Sequence, residues 1–407
     1  MSEAQNYRDD FPILAQTIHG KRLIYLDNAA TTQKPRHVIE AIQNYYATSN
    51  ANVHRGVHVL GDKSTVALEK ARNTIATFFG AKNEELILTR NTTEAINGVL
   101  YGWALHNLQE GDVILTSNLE HHSNFVVWQQ ACTLTGATLK VVPLTQEGQL
   151  DYEWLEANLD NARLLAFSYV SNALGVQFDI PRIVAAAKKS RARVLIDGAQ
   201  AAAHLPIRFD SLGIDFLAVS GHKLYGPMGS GGLLVRSELL RTNEMQPWLF
   251  GGGMIAEVHE DTTIFNDDPT ERFTAGTPDV SSAVGLAAAC DYISGIGLQK
   301  IAAHESQLVS AMLEKLQALP QITVVGPQQN RVGSVAFLYE GVHAHDVAQV
   351  LDSEGVAVRS GHHCTMPLHT KRNWIATTRA SVGVYNTIED IDACIHALLK
   401  VATVFGK

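Results

Sequence analysis

Lys223 closes the run Ser220-Gly221-His222-Lys223, and an acid stands 26 positions before it in Asp197-Gly198-Ala199-Gln200. Each motif ends a short apolar run: Arg193-Val194-Leu195-Ile196 before the acid, Phe216-Leu217-Ala218-Val219 before the Ser-Gly-His-Lys. Two such runs in one parallel sheet deliver both side chains to the same edge, where α/β proteins bind their ligands. An amine able to form a Schiff base and a carboxylate able to pair with a pyridinium nitrogen are what pyridoxal phosphate requires. Taken singly, the lysine reads as a surface residue and the aspartate as a helix cap. Together, with Gln200 and His222 alongside, they read as a cofactor site.

Further groups fall at strand ends. Asn91-Thr92-Thr93-Glu94 follows an apolar run and opens a helical pattern, so its free N–H groups and hydroxyls suit a phosphate. A plain threonine N-cap fits the same residues. Ser220 and His222 are candidates for further phosphate contacts. In Glu120-His121-His122, His121 is placed to stack on a cofactor ring and exchange protons with a substrate. The loop Arg359-Ser360-Gly361-His362-His363-Cys364-Thr365 presents a cysteine beside groups that stabilise a thiolate. Adjacent histidines rarely converge on one ion and no fourth ligand is evident, so no metal site is expected. Arg379, in apolar strand-like surroundings, wants an anion, either a substrate carboxylate in a bidentate fork or a structural acid. Phe273-Thr274-Ala275-Gly276-Thr277-Pro278 reads only as a polar turn.

The elements that must position these residues alternate. Strand-like runs are expected at 86–89, 113–117, 139–142, 164–169, 194–197 and 216–220, with helices such as 64–79 and 180–190 between them. That alternation predicts a mainly parallel sheet covered by helices. The run 233–236 follows Lys223 too closely for a helical crossover, so it is expected to pair antiparallel. Beyond about residue 281 the pattern changes to one long helix over 285–319. Strands at 322–325 and 334–338, a helix at 346–353, a strand at 356–359 and a final helix opened by Thr387 follow. Asp390, three residues on, gives capping-box spacing.

Composition limits the class. The chain has 407 residues, 46% of them hydrophobic and 18% charged, with a net charge of −9. This suffices for a large core and two domains. Basic residues are scattered, which argues against nucleic acid as a partner. No apolar stretch is long enough to span a bilayer and the N-terminus has no signal-like region, so the expected location is cytoplasmic. Cys132, Cys290, Cys364 and Cys394 stand far apart and are expected to be free thiols.

Ten motifs in order resemble the cysteine desulfurases, a class-V aminotransferase branch of the fold-type I pyridoxal phosphate enzymes. They are Tyr25-Leu26-Asp27-Asn28-Ala29-Ala30-Thr31, Asn52-Val53-His54-Arg55-Gly56, Thr92-Thr93-Glu94, Glu120-His121-His122, Val170-Ser171-Asn172, Asp197–Gln200, Ser220–Lys223, Ala275–Pro278, Cys364 and Arg379. The Arg359–Cys364 loop is most similar to the SUF-type (group II) branch, which also handles selenocysteine. The resemblance implies an α/β fold with a mainly parallel, seven-stranded type of sheet in a large domain, 20–285. A smaller α+β domain, 286–407, is joined by the N-terminal segment 1–19.

It also implies roles. Lys223 carries pyridoxal 5'-phosphate and later moves protons, Asp197 keeps the ring nitrogen protonated, Gln200 contacts the ring oxygen, and His121 stacks on the ring. Thr93, Ser220 and His222 hold the phosphate, joined by Thr277 from the second subunit of an obligate homodimer. Arg379 and Asn172 grip the carboxylate of L-cysteine, whose sulfur the Cys364 thiolate attacks to give L-alanine and a persulfide. His54, Arg359 and His362 line the pocket. The sulfur would pass to an acceptor protein of the SufE or SufU kind for iron–sulfur cluster assembly. Alternatives are a selenocysteine lyase that does not need Cys364, a kynureninase or aminotransferase-like member of the fold, and a non-enzymatic scaffold. Two departures from the family pattern stand out. Asn91 replaces the usual glycine, which asparagine's tolerance of unusual backbone angles should accommodate. Thr365 replaces an alanine, which bears on loop mobility and access.

Overall fold

The computed structural model describes residues 7–54, 57–329 and 331–406. Its centre is a seven-stranded sheet of β1 (Leu86–Thr89), β2 (Val113–Ser117), β3 (Thr138–Val142), β4 (Ala162–Ser168), β5 (Arg193–Asp197), β6 (Phe216–Ser220) and β7 (Gly231–Val235). The spatial order is β1-β7-β6-β5-β4-β2-β3. β2, β5, β6 and β7 are buried along nearly their whole lengths, as strands covered by helices on both faces must be. Every pairing is parallel except those of β7, which runs antiparallel to both β6 and β1. Two reversals restore direction. The C-terminal ends of β1, β2, β4, β5 and β6 therefore share one edge, and the motifs that follow those strands gather there.

Local signals explain the helices between. Asp179 caps the helix Ile180–Ser190 through the Arg182 amide at 3.0 Å, Pro181 lies in its first turn, and it ends at Arg191 in a left-handed conformation. The helix Thr92–Val99 is capped by Asn91, whose side chain accepts from the Glu94 amide at 2.9 Å. Asn91 itself is extended, with φ −176°. The expectation that this position exploits asparagine's tolerance of unusual angles is therefore replaced by plain side-chain capping.

A second sheet consists of β8 (Ile322–Val325), β9 (Ser334–Tyr339), β10 (Arg359–Gly361) and β11 (Thr377–Ser381), all antiparallel in the order β8-β9-β11-β10. The helices Leu298–Gln317, Ala344–Ser353 and Ile388–Phe405 pack on it around their own apolar cluster. The last is opened by the reciprocal Thr387/Asp390 capping box.

Two expectations are corrected. The single helix expected over 285–319 is two helices, Val280–Ile296 and Leu298–Gln317, bent by 77°. Gly297 sits at the break with φ 93° and ψ 119°, a conformation that ends one helix and turns the chain into the next. The strand expected over 356–359 is split between two sheets. Val356–Ala357 pairs parallel with Ile24–Tyr25, and Arg359–Gly361 joins β11. Ile24 and Leu26 thereby become part of the smaller unit's core. Val280–Ile296 packs on the helices Arg36–Thr48 and Val59–Phe78 of the larger unit, so a boundary at residue 285 would cut through it. The N-terminal residues 1–6 and the motif residues Arg55 and Gly56 lie outside the described residues. Among the described residues no single helix is long and apolar enough to cross a membrane.

Gly231 shows how tightly the edge is built. It stands opposite Thr89 and Ser220, and a Cβ there would meet Val219 O at 2.6 Å and the Asn91 Cα at 2.9 Å. Gly231→Ala is expected to lower unfolding stability by about 1–3 kcal/mol through overpacking, read by urea titration. Wild-type stability in that variant would contradict this packing.

Candidate active site

The loops at the carboxyl edge enclose a cavity of about 590 Å³ against β10, β11 and the Cys364 loop. Thr93, His121, Asn172, Asp197, Ser220, His222, Lys223, Arg359, Cys364 and Arg379 all line it. Ten of the residues singled out in the sequence are thus brought together. Gln200 is buried just behind, donating through Nε2 to Ala29 O at 2.8 Å. His362 faces His369, with ring centroids 5.3 Å apart. His54 and Thr277 are not in this cavity; both line another, of about 600 Å³.

Asp197 ends β5 and is 6% exposed. Burial raises its carboxyl above the usual range, while an amide hydrogen bond from Ala199 at 2.9 Å and the Lys223 charge oppose the shift. Burial lowers the Lys223 amine to about 8, Arg379 adds to the effect and Asp197 resists it. An amine so shifted deprotonates readily, which a nucleophilic lysine needs.

His121 is lowered to about 3, by burial first and then by the nearby Lys223 charge, so its imidazole is neutral. Its Nδ1 accepts from the Ser123 amide at 3.1 Å, which leaves the ring proton on Nε2. Beneath it lies Glu120, which accepts from Ser168 (2.6 Å), Ser117 (2.7 Å) and Asn124 (2.7 Å), and which burial raises to about 8. Glu120 fixes the loop that carries His121.

On the other side, β1 and β6 meet through Ser220. Its Oγ accepts from the Thr92 amide at 2.8 Å and donates to Thr92 Oγ1 at 2.9 Å. Thr93 Oγ1 lies 2.6 Å from Ser123 Oγ. The helix start, two hydroxyls and His222 form a cradle suited to a phosphate. Burial lowers His222 to about 4. The His222 carbonyl is held by Thr31 (3.0 Å) and by Lys34 (2.8 Å), which steadies the turn bearing Lys223.

Arg379 is fully buried on β11, directly opposite Arg359 on β10. Its guanidinium donates to Asn172 O at 2.6 Å and meets Asp27 at 3.4 Å, while Nε has no partner. Burial lowers it to about 10, still a cation. An enclosed guanidinium with an unused N–H is a carboxylate receptor. Asp27, Glu120, Ser123 and Thr92 were not singled out as site residues. An acid two residues past the Ile24–Tyr25 strand was the signal for Asp27, but its partner strand lies at the other end of the chain.

Cys364 leaves the smaller unit at the mouth of the cavity, its carbonyl held by the His122 amide at 2.8 Å. Thr365 is fully buried, with its hydroxyl on His362 O at 2.7 Å, so it braces the loop rather than obstructing the opening. Cys132, Cys290 and Cys394 sit in helices, and burial raises all three thiols. Among the described residues no group of three or more His, Cys, Asp or Glu is placed to hold a metal ion.

A buried carboxylate facing a nucleophilic amine, beside a phosphate cradle, defines a pyridoxal-phosphate site on an α/β scaffold. Comparison with known proteins agrees. Residues 24–394 match the aminotransferase class-V family. A probable cysteine desulfurase of Xylella fastidiosa is 45% identical over 403 residues, 99% of this chain and 96% of the relative. The apo structure of a cysteine desulfurase from Thermococcus onnurineus superposes with a TM-score of 0.94 at 38% identity, covering 99% of each chain. The cysteine desulfurase CsdA of Escherichia coli does so with a TM-score of 0.91 at 35% identity, again over 99% of each. The chain belongs to the class-V aminotransferase family, in which these relatives are cysteine desulfurases, and its cofactor is pyridoxal phosphate. Lys223, Asp197, Thr93, Ser220 and His222 fit that group. Once bound, it supplies an electron sink for substrate carbons attached through nitrogen.

The neutral histidines carry a pH signature. Between about pH 3 and 6.5 the unfolded chain binds a proton at residue 121 that the folded protein does not, so stability falls as pH is lowered through this window. His121→Gln should flatten that acid slope in urea unfolding of the cofactor-free protein by up to about 1.4 kcal/mol per pH unit. An unchanged slope would show that His121 protonates freely in the fold.

Proposed function

We propose that this protein is a cysteine desulfurase in which Cys364 receives the sulfur. The observation that carries the reading is that Lys223, Arg379 and Cys364 face one cavity from two different units. Arg379 and Asn172 orient the substrate carboxylate, Lys223 moves the proton at the α-carbon, and neutral His121 exchanges a proton near the leaving sulfur. The carbon–sulfur bond of L-cysteine breaks as a sulfur–sulfur bond forms on Cys364. L-cysteine and the Cys364 thiol thus become L-alanine and a Cys364 persulfide.

The wider setting belongs to the same proposal. A homodimer is supported by Thr277 lining a different cavity from the other phosphate residues, and by exposed Val57, Val59, Leu249 and Phe250. The braced, short Cys364 loop supports the SUF-type assignment, with transfer to a SufE- or SufU-type protein for iron–sulfur cluster assembly. Free thiols suit a reducing cytoplasm. L-selenocysteine fits the same receptor for the amino-acid carboxylate, and Cys364→Ala distinguishes the substrates by sparing selenium release.

The test is the absorbance of the purified holoenzyme, with alanine release followed after L-cysteine is added. Wild type and Cys364→Ala should both show a band near about 420 nm, with alanine formed only by wild type. Alanine release by Cys364→Ala at the wild-type rate would refute the role of Cys364.

A further inference from the structure

Cys364 occupies a demanding backbone position. The His362 carbonyl accepts from the Thr365 amide at 2.8 Å, closing a four-residue turn whose central residues are His363, with φ 51°, and Cys364, with φ 56°. Two consecutive positive φ values, as in a type I′ turn, favour glycine and asparagine, not histidine and cysteine. Such a turn persists only where its surroundings over-determine it. One side is clear: Asn172 Nδ2 donates to His363 O, the His122 amide donates to Cys364 O, and the Met366 amide donates to His122 Nε2 at 3.1 Å.

The other side is a buried polar chain whose first member, His363, lines the cavity. His363, Thr365, His369 and Thr377 are each 4% exposed or less. Thr377 Oγ1 lies 2.9 Å from His363 Nε2 and 3.1 Å from His369 Nε2, and His369 Nδ1 lies 3.1 Å from Thr365 O. Proton positions follow by elimination. A carbonyl only accepts, so His369 Nδ1 donates to Thr365 O. Burial keeps the His369 ring neutral, so its Nε2 accepts the one hydroxyl proton of Thr377. Thr377 Oγ1 then accepts from His363 Nε2. The remaining nitrogen, His363 Nδ1, is left as a bare lone pair, and it is the ring atom without a partner. A single direction of donation satisfies every proton in the chain.

We propose that Thr377 and His369 are positioning residues for Cys364: their ordered hydrogen bonds lock His363, and with it the left-handed turn that presents the thiol to the cavity. Neither touches the cavity. Both act through the turn, and the Thr365 hydroxyl on His362 O closes its base. The proposal rests on reading Cys364 as the nucleophile.

The experiment compares holoenzymes carrying Thr377→Val, which keeps shape and removes the relay hydroxyl, and Thr377→Ser, which keeps the hydroxyl. Thr377→Val should lower kcat for alanine release by about 10- to 100-fold, the cost of a misplaced reacting group. KM for L-cysteine should stay within about threefold and the cofactor band should be unchanged, because Arg379 and Lys223 make no contact with Thr377 or His369. Alkylation of Cys364 by iodoacetamide, followed by peptide mass, should accelerate as the turn opens. Thr377→Ser should restore both. Wild-type kcat and alkylation in Thr377→Val would overturn the proposal, as would loss of the cofactor band together with kcat, which marks general damage. Should Thr377→Val not fold, His369→Phe, which keeps a buried ring and removes both relay nitrogens, carries the same test, and wild-type values there would overturn the proposal equally. If Cys364→Ala still releases alanine, the nucleophile reading fails, while the alkylation comparison separately decides the clamp.

Discussion

A buried carboxyl group is the constraint on which the structure turns. Asp197 is walled in at the end of β5 with one close amide donor and the Lys223 amine as its charged counterpart. Enclosure of a carboxylate with so little compensation is unfavourable unless a cation completes it. The pyridinium nitrogen of a bound cofactor would be that cation, and the sheet places the acid and the lysine where they would meet it. β5 and β6 lie side by side, so the acid and the lysine turn emerge at the same edge. The doubly reversed β7 brings β1 and its helix start to the same place.

The opposite wall is supplied by the smaller unit and follows the same logic with the sign inverted. Arg379 is a fully buried cation whose Nε is unused, held by Asn172 O and more loosely by Asp27, and faced across the strands by Arg359. Between an enclosed anion and an enclosed cation, His121, His222 and His363 are kept neutral, as expected where positive charge is already concentrated. A zwitterionic amino acid fits this arrangement: its carboxylate would answer Arg379, and its nitrogen would reach the group proposed for Lys223. Cys364 enters from the smaller unit on a turn held from both flanks.

Much of this was legible in the sequence, for definite physical reasons. Buried parallel strands read as unbroken apolar runs, so Asp197 and Lys223 announced themselves by ending them. The short step from Lys223 to β7 left no room for a crossover, which fixed that pairing as antiparallel. Longer-range facts were not legible. The alanine-rich run before Gly297 and the pattern after it are both helical, and the bend depends on how each half packs. The split of 356–359 depends on Ile24–Tyr25, a partner far away in sequence. His369 and Thr377 carry no motif of their own, and Glu120 reads only as the flank of His121. Their roles come from burial and from neighbours that only the fold brings into reach.

The most direct measurement is the nitrogen-15 chemical shift of the cofactor ring in holoenzyme reconstituted with ring-labelled pyridoxal phosphate. Wild type should show a protonated ring nitrogen across the neutral pH range, and Asp197→Asn should shift it to the unprotonated position. The same shift in both proteins would mean that the buried carboxyl does not hold that proton, and the electrostatic basis of the site would have to be sought elsewhere.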